Sequence, residues 1–97
     1  MKNDIKPDTW IWVIVQNPGT NEQFLGQLDE KTSVSFIPAF YKKEDAQQCL
    51  LNLTTERGAK YEAQAIFFDE LVTDAAQNKF MIFLLNADGK ILKKVKP

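Results

Sequence analysis

Few side chains in this sequence could do chemistry. Cys49 is the only cysteine and there is no histidine, so imidazole bases, imidazole metal ligands and a histidine pH switch are all missing. Ala46, Cys49, Leu50 and Leu53 recur at i, i+3, i+4 and i+7, which puts the thiol on the apolar stripe of a helix. A thiol there behaves as a small hydrophobe with a raised pKa. A nucleophile would want a cationic or helix-N-terminal setting instead. The carboxylates occur as Glu44-Asp45 and Asp69-Glu70, each pair at a predicted helix start, where the helix dipole accounts for them. Neighbouring helical positions face different directions, so neither pair reads as an acid and a base across a cleft. One thiol and scattered carboxylates match no zinc or calcium spacing, and no metal or cofactor is expected. Asn17-Pro18-Gly19-Thr20 lies between two strands and lacks the lysine and helix of a phosphate loop, so it reads as a turn. Lys90, Lys93, Lys94 and Lys96, with Trp10 and Trp12 as stacking platforms, could meet a nucleic acid. An edge strand guarded by lysines explains them equally well, and twelve basic against thirteen acidic residues leave a net charge of −1 and no global field. Nucleic acid is not the favoured partner, and the balance leans away from an enzyme.

Those residues must be positioned by one small domain. Ninety-seven residues leave no room for a second, and residues 1–9 form a polar N-terminal segment of it. Residues 10–15 are an unbroken aromatic and β-branched strand. Residues 24–28 and 34–40 give a second and a third strand, with Pro38 pushing the third toward an edge or a bulge. The spacing predicts a helix over 42–56, with Arg57 beyond its last turn and Gly58 in the left-handed position that ends it. Residues 61–66 alternate as a fourth strand, with a helix as the competing reading. A helix over 69–78 turns Leu71, Val72, Ala75 and Ala76 inward. Residues 80–85 are a second wholly apolar strand, and Asn86-Ala87-Asp88-Gly89 turns the chain into a last strand at 90–95. The expected fold is α+β, a single-layer mixed sheet of five or six strands packed with two helices in the order βββαβαββ.

The two wholly apolar strands want cover on both faces. Ile11, Val13 and Val15 point one way and Trp10, Trp12 and Ile14 the other; Phe80, Ile82 and Leu84 oppose Met81, Phe83 and Leu85. A helix about 10 Å wide spans roughly two strands spaced about 4.8 Å apart, so two helices cannot shield both faces of five or six. With both helices on one side, Trp10, Trp12, Phe36 and Phe83 form an aromatic patch for a protein partner or a second copy of the chain. With one helix on each face, or with a strongly closed sheet, no such patch need remain. The alternative to a binding module is a small-molecule sensor or minor enzyme with a pocket between sheet and helix, using Asp69, Glu70 or Tyr61.

No apolar run is long enough for a signal core or a membrane helix, and a single cysteine excludes an internal disulfide, so a cytoplasmic protein without membrane partners is expected. The stretch Phe36-Ile37-Pro38-Ala39-Phe40-Tyr41-Lys42-Lys43-Glu44-Asp45-Ala46 joins an apolar strand containing a proline to an acidic helix start. It resembles the N-terminal domain of SseB-type bacterial proteins, over at most residues 10–53. That resemblance implies an α+β domain used for protein contacts, sometimes alongside secretion systems, and supplies no catalytic residue.

Overall fold

The computed structural model describes residues 5–97. Its elements are β1 (Trp10–Gln16), β2 (Gln23–Phe24), β3 (Gln27–Asp29), β4 (Val34–Phe40), α1 (Lys43–Cys49), β5 (Tyr61–Phe67), α2 (Phe68–Gln77), β6 (Met81–Leu85) and β7 (Ile91–Val95), with a 3-10 turn at Leu50–Asn52 after α1. The fold is α+β with one mixed sheet of seven strands and two helices, one strand more than the largest number expected. Across the sheet the long strands run β5, β1, β4, β6, β7; only β4 and β6 are parallel.

The extra strand comes from a fork. β1 and β4 pair only at Trp12–Phe40 and Val13–Ala39 and then part, and the chain between them fills the gap. β2 pairs with β1, Leu25 donates its N–H to Ile14 O at 2.8 Å, and β3 pairs with β4. The expected strand at 24–28 is therefore two short strands crossing from one neighbour to the other. Pro38 occupies the interior of the sheet and is buried, so of the two expectations, an edge or a bulge, the edge does not hold. Toward β1 and β3, however, it falls between the stretch of β4 paired to β3 and the stretch paired to β1, where a missing N–H costs no ladder bond.

The turns behave as their residues require. Thr20 donates to Asn17 O at 3.0 Å, with Gly19 at φ 81° supplying the positive φ of a type II turn. At the other hairpin Asn86 Oδ1 accepts from the N–H groups of Asp88 and Lys90, and Gly89 sits at φ 85°.

α1 is shorter than its apolar spacing suggests. Its stripe holds, with Ala46 and Cys49 buried and Leu50 and Leu53 half-buried against them, but Leu53 is already extended and Leu51 is 85% exposed. The Gln27 side chain captures the next residue, accepting from Thr54 N at 2.9 Å and donating to Thr54 O at 2.8 Å. Arg57 and Gly58 consequently lie in a separate turn rather than at the helix end. α2 begins one residue early, so that Phe68, Leu71 and Ala75 form the buried stripe and Ala76 is exposed.

The helices take opposite faces of the sheet. Ile11, Val13, Val15, Ile37, Ile82 and Leu84 pack with Phe68, Leu71 and Ala75 of α2. Ile14, Phe40, Phe83 and Leu85 pack with Ala46 and Cys49 of α1. The alternation read from β1 and β6 is thus kept, and each face has one helix. Replacing Leu71 by Ala removes a fully buried side chain from α2 and should cost about 2–5 kcal/mol. Leu51→Ala should stay within about 0.5 kcal/mol; urea unfolding curves of the two variants check both values.

Candidate functional site

α1 packs chiefly on β5, β1 and β4, and its buried residues Ala46 and Cys49 join Phe83 and Leu85 of β6 in one cluster. Beyond it, over β4, β6 and β7, lies a groove of about 740 Å³. Its floor is Phe36, Phe83 and Leu85. One wall is Cys49, Asn52 and Leu53 at the end of α1 and its 3-10 turn, and the other is Ile91 and Lys94 of β7. The turn after β3, with Asp29, Glu30 and Lys31, closes the end near the start of β4, and Asp88 and Gly89 close the opposite end.

The floor is held by ring packing. Phe36 and Phe83 stack with centroids 4.2 Å apart and 15° between planes, an arrangement worth about 0.5–1.5 kcal/mol beyond its buried area. Lys94 lays its Nζ 5.1 Å from the Phe83 centroid, a cation–π contact that keeps the ammonium at the wet rim while its stem covers the ring. Phe83 is buried beneath these neighbours and Phe36 is half-buried. Leu28 and Ile91 are 59% and 42% exposed at the sides.

The four aromatic residues singled out from the sequence therefore form two groups. Phe36 and Phe83 meet in the groove. Trp12 is half-buried toward α1, with Lys43 Nζ 5.7 Å from its ring centroid. Trp10, 56% exposed, stacks on Phe67 of β5 at 4.0 Å. Sequence reasoning missed Ile91 and Leu28 as groove residues, although apolar residues placed beside turns were a visible signal.

A second concavity of about 560 Å³ opens at the fork, between β2, β3 and residues 54–56. Its lining is mixed, and several of its polar groups bond to one another: Gln27 holds Thr54, Gln16 Nε2 donates to Glu56 Oε2 at 3.2 Å, and Glu56 N donates to Tyr61 Oη at 2.7 Å. Among the described residues no buried side-chain nitrogen or oxygen is left without a partner. Tyr61 lines this cleft, whereas Asp69 and Glu70 lie exposed on α2 at the other face, so the three polar residues considered for a ligand do not converge. Among the described residues no three Cys, Asp or Glu side chains gather as a metal site, and no helix is long and apolar enough to cross a membrane.

Comparison of this chain with protein families, with curated proteins and with solved structures finds no match.

Cys49 connects the groove to folding stability. Its buried thiol touches the turn at Gly89, where a Cβ would come within 3.6 Å of Sγ. Burial, and secondarily the Asp88 carboxylate, raise its pKa above the ordinary thiol value of 9.0. The folded state thus disfavours the thiolate, and the associated stability is complete below the ordinary pKa and is lost as pH rises through the raised one. Urea unfolding of the wild type should show stability falling above about pH 9, and Cys49→Ala should remove that part of the slope.

Proposed function

We propose that the protein is a binding module whose groove takes an apolar side chain of another polypeptide. One observation carries this reading: the stacked pair Phe36 and Phe83 floors a groove that stays open beyond the end of α1. The walls are largely apolar, the rim is charged, and carboxylates outnumber lysines at the ends, Asp29 and Glu30 with Lys31 at one and Asp88 at the other. Apolar centre and charged rim are the anatomy of a protein-docking surface. The end charges favour an apolar residue flanked by lysine or arginine. The resemblance of residues 36–46 to SseB-type domains supports the same class of role, since it implies protein contacts.

A ligand-binding sensor is the weaker reading, because Gln16, Gln27, Thr54, Glu56 and Tyr61 in the cleft at the fork bond to one another.

Burying one Leu- or Phe-sized anchor contributes about 1.5–3 kcal/mol, so a groove carrying a charge should bind about ten- to a hundredfold more weakly. Displayed peptides with an apolar centre and basic flanks, selected on the wild type, should lose that much affinity for Ile91→Asp and Leu28→Asp. Both positions are exposed enough for the fold to tolerate the change. Selection of no binder, or of binders indifferent to both substitutions, would overturn the proposal.

A further inference from the structure

The sheet has two long edges, and they are built differently. β7 carries Lys93 and Lys94 in five residues, and its register with β6 shifts between Leu84 and Leu85. Lysines and irregular pairing are how proteins keep an edge from recruiting another strand. β5 has neither. It pairs with β1 over all seven residues without a break, and its single charge is Glu62.

The direction of every backbone group on β5 follows from the bonds at its ends. Asn17 N donates to Lys60 O at 2.8 Å and Phe68 N donates to Thr9 O at 2.9 Å. In an antiparallel ladder hydrogen-bonded pairs alternate with non-bonded ones, so Glu62, Gln64 and Ile66 bond to β1. Tyr61, Ala63, Ala65 and Phe67 then turn both N–H and C=O outward. Among the described residues the four N–H groups and the C=O groups of Tyr61, Ala63 and Ala65 have no backbone partner, while the Phe67 C=O, at the N-cap of α2, already opens the helical hydrogen bonds.

We infer that this edge pairs with the same edge of a second copy, antiparallel about a two-fold axis at Gln64. That register pairs Tyr61 with the other copy's Phe67 and Ala63 with its Ala65. Every free outward group then finds a partner, with the Tyr61 N–H sharing the second lone pair of the other copy's Phe67 C=O; sliding the copies by two residues either way strands some of them. The side chains agree with it. Tyr61 meets Phe67, an aromatic cross-strand pair, and extends the Trp10–Phe67 stack. The two alanines meet each other, Glu62 faces Ile66, and no like charges stand opposite. Because the interface is isologous, one surface supplies both halves and the assembly closes as a dimer. This inference is independent of the groove, since the two surfaces share no residue.

Gln64 would sit opposite its own copy in a non-hydrogen-bonded pair, with Cα atoms about 4.5 Å apart, within the range of a disulfide. Gln64→Cys in a Cys49→Ser background should therefore oxidise to a covalent dimer. Glu62→Cys, which faces Ile66 rather than itself, should cross-link at least about tenfold more slowly. Light scattering should give the wild type twice the monomer mass, and Ala65→Pro, which removes only an outward N–H, should return it to the monomer. Should that variant fail to fold, hydrogen exchange of the wild type decides: Ala63 and Ala65 amides slowed with rising concentration support the pairing. A wild type that stays monomeric, a dimer in which those amides exchange freely, or a dimer that survives in folded Ala65→Pro would overturn it.

Discussion

A sheet that is apolar on both faces has to be covered on both, and this chain contains only two helices to do it. Each takes a face. α2, ten residues and about 15 Å long, reaches from β5 to β6 across a face whose inward side chains are aliphatic and interlock beneath it. α1 has seven residues and about 10 Å; it packs chiefly on β5, β1 and β4, meets β6 at Phe83 and Leu85, and leaves a groove open over β6 and β7. The groove is the remainder of that division. It lies over the strands farthest from α1, and its floor is made of aromatic rings because stacked rings shield one another where no helix does.

Much of this arrangement was legible in the residues. The alternation within β1 and β6 assigned each side chain to the face it occupies, because a period of two leaves no freedom once both faces are buried. The turns at Gly19 and Gly89 were legible because positive φ is a local demand. The fork was not. Whether β1 and β4 stay paired depends on contacts between segments more than twenty residues apart, and the chain that fills the gap carries too few apolar positions to announce two strands. Pro38 pointed to an edge or a bulge without choosing between them, because a proline forbids a ladder bond and an interruption within the sheet serves as well as an edge.

The end of α1 shows the same competition. Leu50 and Leu53 continue the helical period, yet the segment leaves the helix because Gln27, distant in sequence, bonds both backbone groups of Thr54. Propensity and periodicity see only neighbours, and a fixed polar side chain elsewhere in the fold can outbid them. That capture also sets the limit of the roof, since a helix continuing through residue 56 would alter what stands over the groove. The candidate site was therefore only half visible in advance. Phe36 and Phe83 share a face by parity, but Trp10 and Trp12 share it too, and only the strand order separates the two pairs by placing β1 next to β5 and Phe83 next to β7.

Placement of the groove and the β5 edge on opposite sides of the protomer has a geometric consequence. A two-fold axis relating antiparallel strands of one sheet stands perpendicular to it, so both copies of α1, and both grooves, would face the same way. The order from one β6 to the other would be β6, β4, β1, β5 and the mirror sequence, seven strand spacings or about 34 Å at about 4.8 Å each. Two sites at that separation on one face suit a partner carrying two apolar anchors, or two tails of a single assembly, because the second contact forms at high effective concentration once the first is made. A modest groove then suffices for tight attachment. The lysines and broken register of β7, which flank each groove, keep the outer edges of such a sheet from recruiting further copies, so that growth stops at two.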